Sequence, residues 1–219
     1  MSRHILFFIG PPASGKGTQA ELAAKYYSWP AISSGDLLRR LADLPKKYQA
    51  AIQAGHLVDD QTINDLLKRR LAQPDTKSGF ILDGYPRNSS QFDYAYHHII
   101  TAEDKVRALE IKVSDEEVYR RLGGRRFCPH CGAGYHLIYK LSKREGICDY
   151  CSNKLEKRPD DKPQVITERL KLYHETMEPL KVLWQKRGEL ITINGEQDIA
   201  AVHQDVVASL AQWSGLSPQ

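Results

Sequence analysis

The sequence predicts an α/β fold: a mostly parallel sheet wrapped by helices on both faces, carrying two insertions. Short apolar runs alternate with helical stretches along the chain. The first of these runs feeds a glycine-rich turn that opens directly into a helix. Only residues 123–158 break the alternation, and they hold all four cysteines. A chain of 219 residues is long enough for one sizeable core plus insertions. Hydrophobic content of 41% and charged content of 26% are ordinary for a globular protein.

The first strand is Ile5-Leu6-Phe7-Phe8-Ile9, and the helix after the turn runs to about Tyr27. Ser28-Trp29-Pro30 stops it before a short strand, Ala31-Ile32-Ser33. Ser34-Gly35-Asp36 caps a helix through Leu37, Leu38 and Leu41, with Asp36 read as a cap rather than a catalytic group. Residues 46–54 form another short helix, ended by Gly55. Asp59 or Asp60 caps a longer one through Ile63, Leu66, Leu67 and Leu71, closed by Gln73-Pro74-Asp75. The strand Gly79–Leu82 leads to Asp83 and then to a helix ending near His97, Ile99 and Ile100. A strand over 107–113 follows. Ser114-x-x-Glu117 predicts a capping box for the helix through Leu122. Beyond the cysteines, a long helix reaches about Lys186, with Ile166, Leu170, Tyr173, Leu180 and Leu183 as its stripe. A strand over 189–193 and a helix through Val202, Val206 and Leu210 complete the chain. The division is a core of 1–33, 64–122 and 159–219, with insertions at 34–63 and 123–158.

Gly10-Pro11-Pro12-Ala13-Ser14-Gly15-Lys16-Gly17-Thr18 completes the pattern G-x-x-x-x-G-K between strand and helix. Such a loop turns backbone N–H groups onto a polyphosphate and adds the positive end of a helix dipole. Lys16 supplies a point charge for the β- and γ-phosphates. Gly17 occupies the place where Ser or Thr usually follows the lysine, and the hydroxyl comes one residue later at Thr18. The methyl of Ala13, at one of the open positions of the pattern, is expected to fit only if that residue keeps φ below zero.

Cys128, Cys131, Cys148 and Cys151 form C-x2-C, sixteen residues, C-x2-C. Four thiolates at this spacing can close a tetrahedron around Zn²⁺, as a structural rather than catalytic site. Two disulfides or unrelated thiols are the alternative. Gly132 fits a tight turn after the first pair, and Asn153 is the residue of the second pair expected to tolerate a left-handed backbone. Residues 135–139 read as a small β-ribbon. His130 and His136 are spare imidazoles, expected in solvent.

A polyphosphate loop calls for Mg²⁺ nearby and positive charge where a phosphoryl group moves. Asp83, at the end of an apolar strand, stands where a metal-associated carboxylate is expected. Arg39, Arg87, Arg121, Arg125, Arg158 and Arg169 are spread around the same edge, each ambiguous alone between site and surface.

Taken together, the loop, Ser33-Ser34-Gly35-Asp36-Leu37-Leu38-Arg39, Asp83-Gly84-Tyr85-Pro86-Arg87, Gly124-Arg125-Arg126 and the four cysteines resemble adenylate kinases with a zinc-bearing lid. The resemblance covers residues 4–212. It implies a core like that of P-loop nucleoside-triphosphate hydrolases, an NMP-binding insertion and a zinc-ribbon-like lid. It further implies Mg-dependent, reversible transfer of the ATP γ-phosphoryl group to AMP, giving two ADP. By that likeness, Gly10 to Thr18 wrap the ATP phosphates, Lys16 stabilises the transferred group, and Asp83 orders the Mg²⁺ water shell. Arg121 covers the donor adenine, and the turn containing Gln197 cradles it. Ser34, Arg39, Leu57, Val58 and Gly84 form the AMP pocket, Arg87 holds the AMP phosphate, and Gln91 reads the adenine edge. Arg125, Arg158 and Arg169 converge on the phosphates. Asp160 and Asp161 match the hinge acids of the family, or serve as helix caps. The lid is expected to move as a rigid body between hinges near Gly123-Gly124 and Pro159.

Several positions depart from the family pattern: Ser34 for Thr, Asn88-Ser89-Ser90 after the arginine, a shorter first insertion, and Asn194-Gly195-Glu196-Gln197-Asp198 near the end. They leave open a kinase for UMP, CMP or GMP. A rival class is a zinc-ribbon nucleic-acid binder switched by ATP, given Lys140, Lys143, Arg144, Lys154 and Lys157 among aromatic residues. It assigns no role to Arg39, Arg87 or Gln91. The net charge of +4 suits polyanionic small molecules without demanding nucleic acid. No apolar run approaches the roughly 20 residues that span a bilayer. A strand begins at His4 with no signal-peptide layout, so a cytoplasmic protein without membrane partners is expected; a monomer is expected as well.

Overall fold

The computed structural model describes residues 2–39, 45–54, 56–157 and 161–214. Strand β1 (His4–Ile9) is central in a five-stranded parallel sheet ordered β2-β3-β1-β4-β7, with β2 at Ala31–Ser33 and β3 at Gly79–Asp83. Strand β4 is Lys105–Lys112 and β7 is Leu190–Asn194. All six residues of β1 are buried, because helices cover both sheet faces. Its side chains alternate: Ile5, Phe7 and Ile9 join Leu67, Phe92 and Trp184 in one layer, while Leu6 and Phe8 join Ala20, Ala23, Val206 and Leu210 in the other.

Helices α1 (Lys16–Tyr27) and α8 (Ile199–Ser214) build the second layer. The first is built by α4 (Asp60–Leu71), α5 (Ser89–Tyr94) and α7 (Pro163–Lys186). Helices α2 (Ser34–Arg39) and α3 (Lys46–Ala54) fall in the first insertion, and α6 (Asp115–Gly124) precedes the second. A smaller cluster joins Val118 and Leu122 of α6 to Ile166 and Leu170 of α7, and Ala13 of the glycine-rich loop packs on it.

Parallel strands place their carboxyl ends, and the loops that follow them, on one edge of the sheet. Three expectations about local chemistry change. Asp36 does not cap α2. Its N–H donates to Ser33 Oγ at 3.4 Å, and its carboxylate pairs with Arg39 at 2.5 Å. The capping box at Ser114 is half formed. Ser114 Oγ accepts from Glu117 N, but Ser114 N donates to Glu196 Oε1 at 2.7 Å. Glu117 instead meets Arg120 and Arg121, where charge-assisted bonds outweigh a neutral backbone donor. The helix after Asn88 ends as a single π-turn over Ala95–Ile99.

In the cysteine-rich segment, β5 (Arg125–Phe127) pairs antiparallel with β6 (Gly134–His136). Residues 137–139 turn away, so the expected ribbon is shorter and its partner is β5. The cysteines are free and lie in two similar knuckles. Gly132 N donates to Cys128 O at 2.9 Å, and Ser152 N donates to Cys148 O at 3.0 Å. Gly132 has φ 80°, and its counterpart in the left-handed region is Ser152, at φ 59°, rather than Asn153. The 5→1 hydrogen bond fixes that position as the residue directly after the second cysteine.

Candidate active site

The glycine-rich loop connects β1 to α1. Lys16 Nζ donates to Pro11 O at 3.0 Å, and Ser14 N closes a turn onto the same carbonyl at 3.2 Å. Burial lowers the Lys16 pKa to about 8, partly offset by the charge of Asp83, while burial raises that of Asp83. Asp83 ends β3 opposite Phe8 of β1, which brings it to the loop. At Gly17 a Cβ would sit 3.2 Å from Asp83 Oδ2, so a bare backbone admits the carboxylate here. Asp83 Oδ1 is buried with no hydrogen-bond partner. A spare carboxylate oxygen fits a hydrated divalent cation. Ala13 adopts φ 56°, against expectation. Contact with the cluster of α6 and α7 holds its methyl there.

A cleft of about 910 Å³ opens over this loop, within the range of small-molecule sites. Residues Ala13 to Thr18 line it together with Asp83, Arg39, Arg87, Arg121, Arg125, Arg169 and Gln197. Arg121 is fixed on three sides. It donates to Glu117 at 2.6 Å, to Ser14 O at 3.0 Å and to Gly195 O at 2.7 Å. Its guanidinium also lies 5.7 Å from the Tyr139 ring centroid. His136, expected in solvent, instead ties the cysteine-rich segment to α6. Its Nδ1 accepts from Ile138 and Tyr139 N–H groups, so Nε2 carries the proton and donates to Arg121 O at 2.8 Å. Burial lowers its pKa, favouring the neutral ring. His130 is exposed.

A second pocket adjoins the cleft, lined by Ser34, Arg39, Leu57, Val58, Gly84, Arg87, Gln91 and Arg169. Ser34 Oγ and Arg87 Nε both donate to Gly84 O at 2.8 Å. Arg87 and Arg169 line both spaces. Gly10 and Pro12 line a third, smaller recess with Lys16. The four cysteine sulfurs lie within 4.8 Å of one another. Their donor set and closeness fit a tetrahedral thiolate site for Zn²⁺.

A sequence model of the family described as Adenylate kinase matches residues 8–189. An adenylate kinase from Caldicellulosiruptor saccharolyticus is 38% identical over 94% of this chain and 98% of its own. One from Anaeromyxobacter sp. is 43% identical, covering 94% and 100%. One from Archaeoglobus fulgidus is 40% identical, covering 94% and 97%. The chain belongs to the adenylate kinase family. It is therefore a phosphotransferase on nucleotides, with the parallel-sheet core of that family.

The kinase gathers most of the residues singled out in its sequence at one edge of the sheet. Arg158, Asp160 and the proposed hinge at Pro159 lie outside the described residues, as does Gly55. Gly123 and Gly124, the other proposed hinge, form the last turn of α6. Pattern reading gave no site role to Glu117, Glu196, Asp60 or Tyr139, reading Glu117 and Asp60 only as helix-cap candidates. Glu196, Asp60 and Tyr139 meet partners distant in sequence, Ser114, Gln91 and Arg121, whereas Glu117 orients Arg121 from four residues away, a helical spacing that could have revealed it. Among the described residues, no helix is long and apolar enough to cross a membrane.

Proposed function

We propose that the kinase moves the γ-phosphoryl group of Mg-ATP to AMP, giving two ADP, and that residues 1–33, 64–122 and 159–219 act as its core. Residues 34–63 hold the acceptor, and 123–158 form the lid. The observation that carries this reading is the shared wall: Arg87 and Arg169 line both the loop-side cleft and the adjoining pocket. A phosphoryl group passing between two nucleotides crosses the place where those guanidiniums stand.

Such a transfer needs in-line positioning and charge neutralisation more than covalent chemistry. In this reading Gly10 to Thr18 hold the donor phosphates and Lys16 follows the moving group. Arg121, oriented by Glu117, lies against the donor adenine beside Gln197. Arg87 fixes the acceptor phosphate, and Ser34, Arg39, Leu57, Val58 and Gly84 shape its pocket, with Gln91 at the base. Arg125, Arg158 and Arg169 close on the phosphates, and the lid excludes water that would otherwise take the phosphoryl group. Asp83 would hold Mg²⁺ through water at its spare oxygen; when bound, the ion supplies charge neutralisation at the β- and γ-oxygens. Cys128, Cys131, Cys148 and Cys151 would hold Zn²⁺ as a staple for a lid with few buried side chains of its own.

The test is a coupled assay of ATP with AMP, UMP, CMP or GMP on samples whose zinc is quantified. AMP-dependent ADP formation with one zinc per chain is the expected result. Preference for another acceptor, or none, overturns the assignment.

A further inference from the structure

Gln91 is buried, and both ends of its side-chain amide are engaged. Oε1 accepts from Arg87 N at 2.8 Å, and Nε2 donates to Asp60 Oδ1 at 2.7 Å. Neither partner can exchange roles, since a backbone N–H only donates and a carboxylate only accepts. Turning the amide over would set oxygen against oxygen at Asp60 and N–H against N–H at Arg87. Asp60 is itself held. Asn88 Nδ2 donates to the same Oδ1 at 2.9 Å, and the orientation of Asn88 is set by Gln91 N, which donates to Asn88 Oδ1 at 2.8 Å. Asp60 opens α4 and Asn88 caps α5, so the lock joins two helices beside the acceptor pocket.

We propose that Asp60 is a positioning residue for acceptor selectivity, holding the Gln91 amide in the one orientation that reads adenine and opposes hypoxanthine and guanine. The inference rests on the reading that Gln91 meets the acceptor base. With one lone pair on Oε1 and one hydrogen on Nε2 left over, the locked amide presents an acceptor beside a donor. Adenine offers the complement, an amino donor beside the N1 acceptor. Hypoxanthine and guanine offer the reverse, a carbonyl beside N1–H, and would need the amide turned over. Cytosine has the same polarity as adenine on a smaller ring, so the lock does not discriminate against it. Pocket size does.

The experiment compares kcat/KM for AMP, IMP and CMP in the intact enzyme, in Asp60→Ala, which removes the oxygen that accepts from both amides, and in Gln91→Ala. The expected result for Asp60→Ala is an AMP:IMP ratio at least tenfold lower, with the AMP:CMP ratio held within about threefold. An unchanged AMP:IMP ratio overturns the proposal, as does an equal loss for all three acceptors, which marks a merely structural role. If Gln91→Ala abolishes the ratio and Asp60→Ala preserves it, only the lock fails. If Gln91→Ala preserves it, the base-reading role of Gln91 fails as well. Should Asp60→Ala not fold, Asn88→Thr keeps the helix cap and removes the amide donor to Asp60. A shift of the same ratio by about threefold is then expected, and none overturns the proposal.

Discussion

Asp161 grips Arg125 through two hydrogen bonds, one from Nε at 2.7 Å, and its carboxylate also lies 3.8 Å from Arg169. The acid is 4% exposed at its side chain. It therefore orders two of the arginines that the proposed transfer uses, from the segment that links the lid to α7. Charge-assisted bonds of this type contribute about 1.5–3 kcal/mol. Asp161→Asn is expected to lower kcat roughly ten- to a hundredfold with a smaller change in the KM for ATP. Steady-state kinetics with both substrates varied would show it.

Arg87 stands on the wall common to cleft and pocket, with Nε fixed on Gly84 O. Replacing it by alanine removes a planar donor pair from the acceptor phosphate. Arg87→Ala is expected to reduce turnover by about a hundredfold or more while ATP affinity stays within about threefold. Calorimetric titration of ATP beside the turnover assay separates the two effects. Equal losses in both would place Arg87 on the donor instead.

Lys16 gives a pH signature. Its folded pKa is lowered to about 8 from 10.5, chiefly by burial. Below pH 8 it is charged in both states, and the penalty for burying that charge is present in full. From pH 8 to 10.5 the folded protein sheds the proton while the unfolded chain keeps it, so stability is regained as pH rises. Lys16→Met lacks this group. Its stability advantage over the nucleotide-free parent should therefore shrink by about 2 kcal/mol between pH 7 and pH 9.5. Urea melts at the two pH values measure the difference.

The lid offers a metal test. Its own buried cluster comprises only Cys128, Tyr135 and Cys148, with Cys131, Ala133, Cys151 and Leu155 packed around it. Cys128→Ser, or removal of zinc by a chelator, should strip hydrogen-exchange protection from residues 125–157. The amides of β1, β3 and β4 should keep theirs. Uniform loss across the sheet would contradict a zinc role confined to the lid.

Ala13 sets two opposing terms against each other. Its left-handed backbone costs about 1–2 kcal/mol, and the partly buried methyl returns at most about 0.8 kcal/mol. Ala13→Gly is therefore expected to change stability by less than about 1 kcal/mol once the added chain entropy is counted. Ala13→Val, with a branched Cβ in that region, should cost more than about 2 kcal/mol. Thermal melts of the two variants decide.

Most of the frame was legible because it is written in local signals. The apolar run before Gly10, the breaks at Pro30 and Gln73, and the paired C-x2-C turns each specify structure within a few residues. What escaped is carried by contacts between distant positions. Glu196 satisfies Ser114 N across 82 residues, and Asp60 meets Gln91 across 31. No periodicity encodes such pairs. Ala13 was misjudged for a related reason: a substitution that strains its own backbone is retained where α6 and α7 supply an apolar seat.

That seat has a mechanical side. The cysteine-rich segment leaves the core at the end of α6 and returns at the start of α7, and the side chains that join these two stems also press on the phosphate loop. Packed side chains resist compression and pass displacement on to their neighbours. A tilt of either stem is thus felt as a push on Ala13, one residue ahead of Ser14 and three ahead of Lys16. The loop and the lid share a joint.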